Sequence, residues 1–191
     1  EHFYDVARKF NQKLDSNPNL LGFTNGVYDL DSYEFRDGQP EDFVSNSTRI
    51  EYREFNLDDP DFKRVYDFFQ DMINQIFPDK DVKKYVLLLF ASFLSGSTKN
   101  EQFNIWYGGG ANGKSLLIEL FQECLGNYAC VLPTTLLTKA RAASNAASPE
   151  LVVTKGKRFA VLQEPDNGAR INAGLMKELT GGDTITCRQL F

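Results

Sequence analysis

The 191 residues suffice for one compact domain, or for one domain with a small appendage. Apolar residues make up 42% and charged residues 25%, and 16 Phe and 8 Tyr can fill a core, which excludes a largely disordered chain. A formal net charge of -5 excludes a surface coated in positive charge for nucleic acid, but not a channel touched by a few basic side chains.

The cysteines Cys124, Cys130 and Cys187 form no C-x-x-C pair, and His2 is the single histidine. That excludes a cysteine/histidine zinc site and a disulfide framework, and it points to a reducing, intracellular compartment. Cys124 is expected as a small core residue of a helix. The N-terminus lacks both a signal peptide's basic start and an initiator Met, so a fragment or processed product is expected.

In chain order, apolar spacing from Phe3 to Leu14 predicts a helix, broken at Asn17-Pro18-Asn19. Leu20 to Asp31 predicts a hairpin with a type I′ turn at Asn25-Gly26. Tyr33 to Arg36 predicts another extended piece, and Thr48 to Tyr52 a third. Asp58-Asp59-Pro60 then caps a helix whose apolar stripe is Phe62, Val65, Phe68, Phe69, Met72, Ile73 and Ile76. Pro78 stops it. A second, more buried helix runs from Asp79 to Leu94. Its apolar stretch, Tyr85 to Leu94, is well short of the ~20 residues a bilayer requires, so no membrane partner is expected.

From Glu101 the character changes. Phe103-Asn104-Ile105-Trp106-Tyr107 predicts a short strand, and Ser115 to Leu125 a helix closed by Gly126. Lys139 to Ser148 predicts a mobile loop. Arg158 to Leu162 predicts a second buried strand, with Arg158 a strand-end charge that has no catalytic part. The boundaries expected are a small α+β accessory domain over 1–57, a helical hairpin over 58–100, and a nucleotide-binding core over 101–191.

The chemistry lies between strand and helix. Gly108-Gly109-Gly110-Ala111-Asn112-Gly113-Lys114-Ser115 fits G-x-x-x-x-G-K-S, a phosphate-binding P-loop. Its glycines let backbone N–H groups curl toward phosphate oxygens, and the following helix presents its positive end. Gly108 through Ser115, with Leu116, form the expected nucleotide-binding set. Lys114 is expected between the β- and γ-phosphates of ATP, and the Ser115 hydroxyl on Mg²⁺. Glu164, following Phe159-Ala160-Val161-Leu162-Gln163, is the candidate catalytic acid and second metal-side anchor. No N-K-x-D tetrad is present, so adenine or loose base selectivity is favoured over guanine.

Three blocks together resemble superfamily 3 helicases: the P-loop, Gly156-Lys157-Arg158-Phe159 through Glu164-Pro165, and Lys177-Glu178-Leu179-Thr180-Gly181-Gly182-Asp183-Thr184-Ile185-Thr186-Cys187-Arg188. The branch they resemble is the primase-helicases of large DNA viruses, phages and satellite plasmids. Phe23 to Leu30 and Pro40 to Val44 are similar to the small domain that precedes the helicase there. The resemblance implies an α/β fold: a truncated, AAA+-like parallel-sheet P-loop core behind a small α+β and helical accessory domain. It implies Gly108–Ser115 as Walker A, Glu164 as the Walker B acid, and Lys177 to Arg188 as the B′ motif, with Lys177 and Arg188 near DNA. Many members carry two adjacent acids where this chain has Gln163 and Glu164. The family's sensor-1 asparagine and arginine finger lie beyond B′, past Phe191.

The implied partners are single-stranded DNA, other copies in a hexameric ring, and a primase domain. The implied location is a host cell's cytoplasm or nucleus. Two alternatives stay open from the residues themselves: a nucleotide or small-molecule kinase, and a non-catalytic assembly module.

Overall fold

A computed structural model describes residues 10–138, 149–182 and 185. The predicted first helix is visible as a helical stretch over residues 10–13; its earlier part lies outside the described residues.

Two small sheets organise the rest. The first is antiparallel: β1 (Leu20–Phe23), β2 (Gly26–Asp29) and β3 (Glu34–Arg36), in that order. The hairpin is present, but its turn is not type I′. Phe23 pairs with Gly26, so Thr24 and Asn25 form the loop, and neither has the positive φ that type I′ demands. The Asn25 side chain instead reaches Tyr52, donating to its carbonyl at 3.0 Å and accepting from its N–H at 2.8 Å. The expected extended piece at Thr48 to Tyr52 is no strand. It runs beside the free edge of β1, where Thr48 N–H donates to Gly22 O at 2.9 Å and Thr24 N–H to Ile50 O at 3.0 Å.

Helices α1 (Pro60–Ile76) and α2 (Lys80–Ser92) follow, each started by an aspartate, Asp59 or Asp79, whose carboxylate accepts two first-turn N–H groups. The predicted stripe of α1 divides. Phe69, Met72, Ile73 and Ile76 join the core, whereas Phe62 packs on Phe55 at 5.3 Å, and Val65 and Phe68 are exposed.

Helix α3 (Lys114–Leu125) leads to β4 (Ala129–Leu132) and short α4 (Thr135–Thr138). Short α5 (Pro149–Val152), β5 (Phe159–Leu162) and α6 (Ala173–Thr180) complete the described chain. β4 and β5 pair in parallel, Ala129 opposite Phe159 through Leu132 opposite Leu162. The fold is therefore mixed α/β, with a parallel pair but no larger parallel sheet among the described residues.

One core cluster joins Ile73 of α1, Val86 and Phe90 of α2, and Leu117 of α3. A second joins Leu21, Leu125 and Tyr128, and Phe121 and Phe159 border both. Cys124, expected in the core, is exposed, since α3 packs inward through Leu117, Phe121 and Leu125 instead. No helix among the described residues is long and apolar enough to cross a membrane.

Candidate functional site

The segment predicted as a strand before the glycine-rich loop, Phe103 to Tyr107, has no strand partner among the described residues. It is held by its indole: Trp106 packs against Phe90 at 5.6 Å and Phe77 at 6.2 Å, between the ends of α1 and α2. Tyr107, next along, is 91% exposed, while Phe103 and Asn104 are half-buried.

After Trp106 the chain curls. Ala111 and Gly113 take left-handed backbone, φ 58° and 78°, which turns the loop back before α3 begins. Gly113 is the N-cap of α3 and contributes no side-chain hydrogen bond, unlike Asp59, Asp79 and Asn172 at α1, α2 and α6. The first-turn N–H groups of α3 are thus left unclaimed by any capping side chain, as an anion site requires. Open space lies above Gly109 and Gly110. A Cβ on Gly108 would sit 2.6 Å from the Asn112 amide nitrogen, so a side chain there would push the Asn112 amide aside.

Lys114 folds back over this curl. Its ammonium donates to Asn112 Oδ1 at 2.8 Å and to Gly108 O at 3.4 Å, so the loop holds its own lysine. Ser115 and Leu116 are exposed on the first turn, and Leu117 is buried behind them. The loop thus brings together uncapped first-turn N–H groups, glycines and an ammonium, donors of the kind a phosphate chain accepts from.

Glu164 lies two residues past the carboxyl end of β5 and is exposed. Among the described residues no hydrogen bond or ion pair joins it to Lys114 or Ser115. Nor does any cluster of three or more His, Cys, Asp or Glu there form a metal cage, so a divalent ion would draw on phosphate oxygens and water besides these two side chains. Lys177 is exposed on α6, whose N-cap Asn172 accepts from Leu175 N–H at 3.1 Å. Arg188, the predicted strand Thr184 to Cys187 apart from Ile185, and the predicted loop Lys139 to Ser148 lie outside the described residues.

Sequence reasoning missed the supports of this site. Ile76 lies directly under Gly113, and Arg158 is not a free strand-end charge. Its guanidinium donates to the carbonyls of Leu94 and Leu20 and lies 4.4 Å from the centre of the Tyr128 ring. Those acceptors are backbone atoms 64 and 138 residues away, which no motif records. The one available signal was a charge placed directly before an apolar strand.

Residues 3–78 match the protein family described as "D5 N terminal like", which spans β1 to β3 and all of α1. The chain is 44% identical over 182 residues to "Putative helicase L207/L206" of Acanthamoeba polyphaga mimivirus, covering 95% of this chain and 18% of that protein. It is 33% identical over 183 residues to "Putative helicase 184R" of Invertebrate iridescent virus 6, covering 94% and 18%. It is 29% identical over 186 residues to "Putative primase C962R" of African swine fever virus, covering 96% and 19%. The chain spans about a fifth of the length of these relatives.

Proposed function

We propose that this chain is part of an ATP-driven DNA helicase of superfamily 3 that serves viral DNA replication. The observation that carries the reading is the bare amino end of α3, entered through left-handed Ala111 and Gly113, with Lys114 folded over the loop. The names of similar proteins from large DNA viruses support helicase or primase work over other uses of a P-loop.

In this reading the backbone of Gly108 to Gly113 and the first turn of α3, through Leu116, hold the phosphates of ATP. Lys114 exchanges Asn112 and Gly108 for β- and γ-phosphate oxygens. Glu164 orients a water for in-line attack on the γ-phosphorus; the bond to the bridging oxygen breaks, leaving ADP and inorganic phosphate. Magnesium supplies charge neutralisation on the phosphates, and Ser115 and Glu164 are the side chains that would hold it. Lys177 and Arg188 contact the backbone of single-stranded DNA, which makes binding salt-dependent and tolerant of sequence. The working assembly is a hexameric ring, coupled to primase activity in the same replication machinery.

The test is where the γ-phosphate goes and whether DNA accelerates its release. Single-stranded DNA should stimulate release of inorganic phosphate by the full-length protein, and Lys114→Ala should remove the activity. Transfer to a small acceptor without any DNA effect would point to a kinase instead.

A further inference from the structure

Both strands of the parallel pair are held at their amino ends by apolar packing and by hydrogen bonds, and one side chain, Arg158, reaches both β1 and the end of α2. Arg158 immediately precedes β5, and its N–H donates to Tyr128 O at 2.8 Å, at the corresponding point before β4. Its guanidinium lies over the Tyr128 ring and donates to Leu94 O, just past α2, and to Leu20 O, the first residue of β1. The Tyr128 hydroxyl donates to Asn46 O at 3.0 Å and accepts from Gly22 N–H at 2.8 Å. A cavity of about 340 Å³ lies beside this junction, bounded by Asp15, Val44, Tyr128, Lys157 and Arg158. Apolar packing of Leu21, Leu125, Tyr128 and Phe159 joins the two modules beside it, and Arg158 adds a polar bridge along the cavity wall.

Arg158 is half-buried, and a planar guanidinium set on two backbone carbonyls and an aromatic face is fixed in one orientation. A two-stranded sheet is marginal by itself, and among the described residues β5 has one strand neighbour, with Phe159 packed on the core, to set its direction. The carboxyl end of that strand leads to Glu164. Six residues of extended chain from Arg158 to Glu164 cover about 20 Å. A tilt of about 3° at the fixed end then moves the far end by about 1 Å, a displacement that can cost ~100-fold in rate.

We propose that Arg158 is a positioning residue for the nucleotide reaction: by clamping the amino end of β5 to β1 and to the end of α2, it sets where Glu164 stands relative to the phosphate loop. The inference rests on the function proposed above. Arg158 does not touch nucleotide. Lys114 and α3 do not depend on its hydrogen bonds, so ATP binding and turnover should separate when it is changed.

The experiment uses the full-length protein with Arg158→Lys, Arg158→Gln and, as a comparison, Tyr128→Phe, which keeps the ring under the guanidinium. Steady-state ATP hydrolysis, equilibrium binding of a non-hydrolysable ATP analogue, and Trp106 fluorescence as a folding check are measured together. Arg158→Lys should lower kcat about 10- to 100-fold while analogue Kd and Trp106 emission stay close to wild type. Arg158→Gln should fall at least as far. Tyr128→Phe should melt earlier yet keep kcat within about threefold, since the stacking partner remains.

Wild-type kcat in Arg158→Lys overturns the proposal, as does a parallel loss of analogue binding and turnover. If neither Arg158 variant folds, the residue is purely structural and the proposal falls. Wild-type protein without ATP hydrolysis would sink the functional reading itself. Hydrolysis lost in Lys114→Ala but kept in Arg158→Lys would sink this proposal alone.

Discussion

A methyl group added to Gly113 would lie 2.7 Å from Cγ1 of Ile76, so the phosphate loop rests against the last turn of α1. That contact joins the glycine-rich loop to the helical pair through one aliphatic side chain. Ile76 belongs to the same cluster as Ile73, Val86, Phe90 and Leu117, and Leu117 is one turn into α3. The loop is therefore shaped by its own φ angles and by what lies beneath it.

Gly113→Ala meets both constraints at once: a left-handed φ of 78° and a wall at Ile76. It should destabilise the protein by more than about 1 kcal/mol and weaken nucleotide binding, as measured by thermal melting and titration with an ATP analogue. Gly109→Ala, where the added methyl meets open space, should leave the melting temperature unchanged.

The Tyr128 hydroxyl satisfies one backbone N–H and one carbonyl at the accessory sheet, and the residue is 2% exposed. Tyr128→Phe removes the hydroxyl partner from both groups. Denaturant unfolding should register a loss of about 1–3 kcal/mol. A change well under that range would mean the two groups find other partners.

How much of this was legible in the sequence depends on how local each cause is. The aspartate caps at Asp59 and Asp79, the hairpin around Asn25, and the curl before Lys114 are set by neighbouring residues, and each appears close to where it is expected. Phe103 to Tyr107 failed because an apolar, β-prone run reads alike as a sheet strand or as a coil pinned by one indole. The choice rests on which strand is available to pair, and β4 and β5 take each other. Val65 and Phe68 share the periodicity of Ile73, but no neighbour covers them, and they are 63% and 71% exposed. Arg158 was misread for the same reason: its partners are distant carbonyls that carry no side-chain signature. Around the candidate site, the supports Ile76 and Arg158 act through distant contacts that no local motif records.

Arg36 grips Asp42 with two hydrogen bonds of 2.8 Å. The guanidinium, mainly through these bonds, holds the Asp42 carboxyl below its ordinary value of 3.8. A folded-state value below the unfolded one means the contribution is present above the unfolded value and is lost as pH falls through the folded one. The stability gap between wild type and Asp42→Asn should therefore be constant near neutrality and close between about pH 5 and pH 2. Chemical denaturation across that range measures it, and a gap that persists in acid would rule the ion pair out as its source.

The central claim is that the loop from Gly108 to Ser115 drives work on DNA with ATP, and strand separation reports on that directly. Full-length protein with Mg²⁺ and ATP should unwind a forked duplex labelled on one strand. Lys114→Ala, which keeps the fold of α3 but removes the ammonium now held by Asn112 and Gly108, should reduce unwinding to background. Unwinding that survives in Lys114→Ala would contradict the account.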